Sequence, residues 1–177
     1  MNKMDESLVV EVPKREFKVD CAVYVDADIY AREQLEIFEK TWIYVGHESE
    51  IPAAGDFRTA AIGSLPVILT RGPDQGINVL LNVCRHRGAA VCNAPSGNAD
   101  TFTCPYHRWV YNCDGSLAAL SSDDGYPPDW HKRIGGLLRA AEVSTCHGMI
   151  FARMREGGET LEEFLRPAMK YIDRWFS

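Results

Sequence analysis

The period of apolar and polar positions changes twice along this chain. After Asp26-Ala27-Asp28, the residues Ile29, Tyr30, Leu35, Ile37, Phe38 and Trp42 recur at spacings that suit one buried helical face. They predict a helix from about Ile29 to Lys40, with Asp28 as its N-cap. From about Thr41 to Met154 the pattern breaks into short runs, with strands predicted at Trp42–Val45, Phe57–Ile62, Pro66–Thr70, Asn78–Val83, Thr101–Thr103, Trp109–Asn112, Leu137–Val143 and Met149–Ala152. Gly72-Pro73-Asp74, Asp114-Gly115 and Tyr126-Pro127-Pro128 punctuate them as turns or loops. Many short strands predict a mainly β, antiparallel unit. Helical spacing returns after Gly157. Thr160-x-x-Glu163 forms a capping box around Leu161, Phe164 and Leu165, and Pro167 kinks that helix or starts a second. Met169, Ile172, Trp175 and Phe176 supply an apolar face, and the chain stops at Trp175-Phe176-Ser177 within that pattern.

Three zones result: a weakly patterned arm over 1–26, a β unit with its leading helix over 27–156, and a helical segment over 157–177. There is no internal repeat and no low-complexity stretch. A length of 177 residues fits one domain with an appendage.

Composition narrows the function classes. A net charge of −6 and a pI near 5.4 argue against a general nucleic-acid binder. The first eleven residues carry Asp5, Glu6 and Glu11 and do not read as a secretory signal. No apolar run reaches the roughly 18 residues of a membrane helix. A cytoplasmic protein is therefore expected. In that compartment the six cysteines (Cys21, Cys84, Cys92, Cys104, Cys113 and Cys146) stay reduced, for metal binding or plain burial.

The chemistry lies in two couplets. Cys84-Arg85-His86 is C-x-H; seventeen residues later Cys104-Pro105-Tyr106-His107 is C-x-x-H. Two thiolates and two imidazoles from two short loops are the ligand set of a Rieske-type [2Fe–2S] cluster, with Cys84 and Cys104 on one iron and His86 and His107 on the other. Two thiolates cancel the formal charge of the oxidised core, whereas four would leave it doubly negative. Neutral imidazoles thus make adding an electron easier. Zinc is the rival, but tetrahedral Cys₂His₂ zinc is usually built from C-x₂₋₄-C and H-x₃₋₅-H units, which these couplets fit poorly.

Val83-Cys84-Arg85-His86-Arg87-Gly88 and Thr103-Cys104-Pro105-Tyr106-His107-Arg108-Trp109-Val110-Tyr111, followed by Asp114-Gly115-Ser116-Leu117, resemble the Rieske domain of aromatic-ring-hydroxylating oxygenase large (α) subunits. The Phe38-x-x-x-Trp42 helix end and Gly148-Met149-Ile150-Phe151-Ala152 are similar too, so the resemblance runs from about Asp26 to Phe176. It implies a mainly β fold, a Rieske domain of antiparallel sheets flanked by N- and C-terminal helices, and an oxidoreductase of aromatic catabolism. Its role is to take electrons from a reductase or ferredoxin and pass them to a mononuclear Fe(II) that activates O₂. The resemblance also implies an α-subunit trimer, with or without a small β subunit, and an aromatic substrate. The motif surroundings look closest to members acting on carboxylates such as benzoate, salicylate or terephthalate.

The chain departs from that family at two points. Arg108 stands where the family often has Gly or Ala. The mononuclear iron site has no counterpart, because His47, His131 and His147 are too scattered to form it, so the oxygen-activating domain is expected to be missing. High-potential respiratory Rieske proteins resemble one another in an extra Cys in each cluster loop and a Ser near the second His. Here Ala89, Tyr106 and Trp109 occupy those neighbourhoods. Fewer donors to the sulfurs predict a low potential, suited to NAD(P)H-derived electrons and not to quinol. The alternatives are a stand-alone Rieske-type ferredoxin, disfavoured by the flanking helices, and a zinc-stabilised interaction module. Cys92 and Cys113 read as buried thiols, and Cys21, Cys146 and the three other histidines carry no site signal. Tyr106 and Trp109 read equally as shields of the cluster and as core aromatics. Arg85, Arg87 and Arg108 give its edge a basic character: either solvated charges or a docking patch for an acidic ferredoxin.

Overall fold

The computed structural model describes residues 8–11, 16–121 and 125–176. The acidic start at Asp5 and Glu6 and the terminal Ser177 lie outside them. Among the described residues every strand pairing is antiparallel. A hairpin of β1 (Leu8–Glu11) and β2 (Glu16–Val19) lies within the predicted arm. The four-stranded sheet runs β6 (Ile77–Leu81), β5 (Leu65–Arg71), β4 (Asp56–Ile62), β7 (Ser96–Asn98). A second sheet orders β11 (Glu142–Cys146), β12 (Met149–Arg153) and β3 (Ile43–His47). A third orders β10 (Leu117–Ala119), β9 (Val110–Asn112) and β8 (Thr101–Thr103).

Side-chain alternation makes the four-stranded sheet the middle of the molecule. Val67, Leu69 and Val79, with Ile62 of β4, point to one face and pack with Val45, Ile51, Ile150 and Ala152 on the β3–β12 side. Ile68, Leu80 and Phe57 point to the other and pack with Phe102, Trp109 and Tyr111, among Cys84, Cys92, Cys104 and Cys113. A strand covered on both faces must be apolar at successive positions, and β5 is buried from Val67 through Arg71. Its last residue, Arg71, is satisfied by the Ile51 and Gln75 carbonyls and the Glu48 carboxylate.

The expected strand at Leu137–Val143 is displaced. Leu137 N–H donates to Gly115 O, and the chain then bonds to the β6 edge, with Leu81 N–H to Leu138 O and Ala140 N–H to Val79 O. Only then does it cross to β12, so strand structure begins at Glu142. The polar Ser96–Asn98 carries no strand signal of its own; it becomes a strand because it finds the β4 edge, with Asp56 opposite Asn98.

The leading helix also differs from expectation. Its cap is Asp26, whose Oδ1 accepts from the Asp28 and Ile29 amides, so α1 spans Ala27–Glu33. It then widens into a π turn over Gln34–Phe38. Only Ile29 of the expected apolar face is buried; Tyr30, Leu35 and Ile37 are exposed, and Trp42 lies beyond the helix in the core. The π turn docks on the β4–β5 corner, where Gln34 Oε1 accepts from Ser64 N–H at 2.7 Å. Gly63 there has φ +56°, and a Cβ on it would lie 2.7 Å from Phe38 Cβ.

After β10 comes a short helix, α2 (Trp130–Ile134). At the far end the Thr160 capping box is present, α3 is Leu161–Leu165, and beyond Pro167 a separate α4 spans Met169–Phe176. Leu161 and Leu165 pack with Trp42 and Phe151, joined by Met169 and Ile172, while Trp175 is 81% exposed and takes no part. No helix among the described residues is long and apolar enough to cross a membrane.

Arg153 pins this tail to the sandwich. Its buried guanidinium lies 4.7 Å over the Trp42 ring, bonds Glu142 Oε2 at 2.6 Å, and donates to the Glu159 carbonyl that Trp42 Nε1 also uses. The Arg153 hydrogen bond, aided by the Gly157 amide, holds the Glu142 carboxyl below the usual glutamate range. A depressed folded-state pKa adds stability above the unfolded value, about 4.3, and that stability is lost as pH falls through the folded value. Glu142→Gln should therefore melt below the parent at neutral pH, with the gap closing as pH drops beneath about 4, as followed by thermal denaturation across that range.

Candidate metal centre

The two couplets sit on turns of the same form. In the first, Gly88 N–H donates to Cys84 O at 2.9 Å and Cys84 N–H to Ala89 O at 2.8 Å. In the second, Arg108 N–H donates to Cys104 O at 3.0 Å and Cys104 N–H to Trp109 O at 2.8 Å. Each turn closes through a left-handed residue, Gly88 at φ +73° and Arg108 at φ +61°. The first loop leaves β6 and the second leaves β8, so the outer sheet and the central sheet each present one.

The loops are anchored from beneath. Asn82, at the end of the β6 run, is 5% exposed. Its Oδ1 accepts from the Val91 and Cys92 amides, each at 2.9 Å, and its Nδ2 donates to Cys92 O at 2.7 Å, closing the far side of the first loop. Ser121 Oγ donates to His107 O in the second. Sequence reasoning does not single out Asn82; the available signal is one amide side chain ending an apolar run.

The four couplet residues come together, thiols inside and imidazoles outside. Cys84 and Cys104 are 3% and 1% exposed. His86 and His107 are half-buried, with ring centroids 4.6 Å apart at 69°. Both Nδ1 atoms are buried and have no hydrogen-bond partner. Burial, then the neighbouring His107 and Arg87, pushes the His86 pKa down, which favours the neutral imidazole that ligates metals. Two free thiols beside two unsatisfied ring nitrogens form a donor set that fits a [2Fe–2S] core. Among the described residues no group of three or more His, Cys, Asp or Glu is placed around one point for a single metal ion.

Aromatic rings enclose the site. Trp109 is buried and stacks on His86 at 4.8 Å and 8°, so it is both core and shield, whereas Tyr106 lies over His107 at 3.7 Å and is 57% exposed. Tyr111 adds a sulfur contact beyond those the sequence suggests. Its hydroxyl accepts from Arg85 N–H at 3.1 Å and lies 3.2 Å from Cys84 Sγ, to which it donates once that sulfur is a thiolate. Burial, then the Cys84 contact, raises the Tyr111 pKa, so the hydroxyl keeps its proton. The available signal is period two, since Tyr111 on β9 lies two positions after Trp109, which just precedes that strand, and both are buried in the same core cluster.

The remaining candidates lie elsewhere. Cys92 and Cys113 are buried in the core between the sheets; burial pushes the Cys113 thiol up, so it stays protonated. His47 caps the turn after β3 and bonds the His147 carbonyl, and His147 pairs with Asp173 of α4 at 3.0 Å. The His131 side chain is outside the described residues.

Paired Cys/His turns in antiparallel sheets define a Rieske [2Fe–2S] domain, and residues 41–127 match that family. The chain's relatives are, more particularly, α subunits of ring-hydroxylating oxygenases. It is 43% identical over 152 residues, 85% of this chain and 33% of the relative, to N,N-dimethyl phenylurea N-demethylase subunit alpha from Sphingobium sp.. It is 38% identical over 169 residues, 96% of this chain and 36% of the relative, to biphenyl 2,3-dioxygenase subunit alpha from Rhodococcus jostii. The crystal structure of naphthalene 1,2-dioxygenase from Rhodococcus sp. superposes with a TM-score of 0.78 at 31% identity, over 88% of this chain and 36% of that one. The chain spans about a third of the length of these relatives.

Replacing Asn82 by Leu removes both the acceptor and the donor that close the first loop, leaving the buried Val91 and Cys92 amides unpaired. Each orphaned group costs about 1–3 kcal/mol. The variant should lose about 2–5 kcal/mol of stability in urea titrations, more than a Leu substitution at the exposed Asn93.

Proposed function

We propose that Cys84 and Cys104 bind one iron of a [2Fe–2S] cluster and that His86 and His107, through Nδ1, bind the other. The pair of buried, unpartnered Nδ1 atoms beside two buried thiols carries this reading. The bound cluster supplies one-electron storage at a potential tuned by its ligands and by hydrogen bonds to its sulfurs. Around it, the chain's residues orient and shield. The two cysteine-closed turns fix the thiols, Trp109 holds the His86 ring in one plane, and Tyr106 covers His107. With the cluster bound, the Tyr111 hydroxyl would donate to the Cys84 thiolate and so would favour the more negative, reduced state. The imidazoles are the outer ligands, so electrons cross between cluster and partner at their edge.

On this reading the unit over 27–156 carries the cluster, 1–26 is an arm, and 157–177 leads toward a catalytic domain outside this chain. The whole protein is an oxygenase α subunit. It receives electrons from a reductase or ferredoxin and feeds a mononuclear Fe(II) in a neighbouring subunit of a trimer, where O₂ is activated against an aromatic substrate. The relatives' names span biphenyl, benzene, a dimethyl phenylurea and salicylate, which supports the aromatic class; salicylate is a carboxylate. Six free thiols fit a reducing cytoplasm. By itself the chain transfers electrons and does not turn over substrate.

Purified protein should contain iron and acid-labile sulfide in equal amounts, with little zinc, and its reduced-state EPR spectrum should be of the mixed Cys/His type. Zinc without sulfide, or a four-Cys signal, would overturn the assignment. Tyr111→Phe should keep the cluster and lower its potential. A hydrogen bond about 1 kcal/mol stronger in the reduced state corresponds to about 40 mV in a one-electron couple, readable by voltammetry.

A further inference from the structure

Behind the first couplet a file of aromatic rings leads away from His86. His86 stacks on Trp109 with centroids 4.8 Å apart at 8°. Trp109 meets Tyr126 edge-on at 5.9 Å, and Tyr126 stacks on Trp130 at 5.9 Å and 13°. The file starts in the core, where Trp109 is 1% exposed, and surfaces on α2, where Trp130 is partly exposed beneath the exposed Arg133 at 5.7 Å. Packing accounts for the ring contacts. It does not account for the choice of indole. Trp109 Nε1 and Trp130 Nε1 are both buried, and neither has a hydrogen-bond partner among the described residues. A benzene ring at either place would fill space without leaving a donor unpaired. Indole gives up an electron more readily than benzene or imidazole does, and close rings let the resulting hole move by tunnelling. An oxidised indole is normally trapped when its N–H proton leaves to a base. Without an acceptor it keeps that proton, and with it the drive to take an electron from the next ring. Burial disfavours charge, so a positive hole is drawn from buried Trp109 toward partly exposed Trp130. The Arg133 cation opposes this, but it is exposed and therefore screened by water and salt.

We propose that Trp109, Tyr126 and Trp130 form a hole-transfer chain that carries oxidising equivalents from His86 to the surface at α2, and so protects the couplet ligands from oxygen-derived radicals. This rests on the reading of the couplets as iron ligands. The oxidant class is the hydroxyl radical, which iron and peroxide generate together. Hydroxyl radical formed at the couplets takes one electron from His86 and becomes hydroxide. His86 recovers the electron from Trp109, and Trp109 recovers it from Trp130 across the Tyr126 ring. A thiol in solution then restores Trp130, losing a proton to water and becoming a thiyl radical, and two thiyl radicals join as a disulfide.

The other two tryptophans are internal controls: Trp42 is buried beneath Arg153, and Trp175 is 81% exposed on α4. The whole chain with its cluster, reduced by dithionite and desalted, is treated with hydrogen peroxide, so that hydroxyl radical forms at the couplets. A parallel sample, left oxidised, receives peroxide with Fe(II)-EDTA, which makes the radical in bulk water. Peptide mass spectrometry maps the oxidised residues, and the visible band follows cluster loss. Bulk radical should mark Trp175 first, by exposure. Radical formed at the couplets should mark Trp130 ahead of Trp175 and spare His86. Trp130→Phe should move the damage to Trp109 and His86 and bleach the cluster several times faster. Tyr126→Leu should do the same, whereas Tyr126→Phe keeps the bridging ring and should behave as the parent does. The same order of marking from both radical sources overturns the proposal. So does an unchanged bleaching rate in Trp130→Phe, or equal behaviour of the two Tyr126 variants. Iron-loaded protein in which Trp130 stays clean sinks the chain alone; protein lacking iron and sulfide sinks the ligand assignment and the chain with it.

Discussion

Everything at the couplets depends on two cysteines whose own amides and carbonyls are bonded within their loops. Cys84 and Cys104 each accept from the residue four positions on and donate to the carbonyl five positions on, so each cysteine backbone is held within its loop while the thiol is packed in the core. The remaining loop atoms then follow. The left-handed residues turn the chain, and the intervening histidines are thrown to the outside.

That arrangement needs a stiff floor, and the central sheet provides it. β5 is sealed on both faces, so its side chains cannot shift toward one neighbour without opening a gap beside the other. Leu80 shows the coupling: it is fully buried, lies two residues before Asn82, and packs close beneath Gly115, where an added Cβ would come within 2.6 Å of it. The floor of the first loop and the turn following the second therefore meet at one side chain.

Much of this is legible in the sequence for physical reasons. The strands bounded by Gly or Pro turns and carrying Val, Ile and Leu (β4, β5, β6, β12) announce themselves, because burial and turn chemistry agree there. The couplets are legible because four ligand-type residues at short spacing have few other uses. Legibility ends where partners are remote. Ser96–Asn98 is a strand only because the β4 edge accepts it, and Leu137 is held by a carbonyl more than twenty positions earlier. Asp26 takes the helix cap from Asp28 by geometry that two nearby aspartates do not disclose. Asn82 acts on backbone nine and ten positions on, across its own loop, and Tyr111 acts on Arg85 and Cys84 of the other loop, and no local pattern reports either.

The segment from Gly136 to Cys146 is a seam. It begins against Gly115 O, where a Cβ on Gly136 would come within 2.0 Å, runs along the β6 edge, and finishes paired with β12 beside Arg153. The chain thus leaves the couplet half and enters the tail half without a free linker, under hydrogen bonding at both ends. The two halves are thus tied through one strand's width of backbone, bonded to β6 on one side and to β12 on the other.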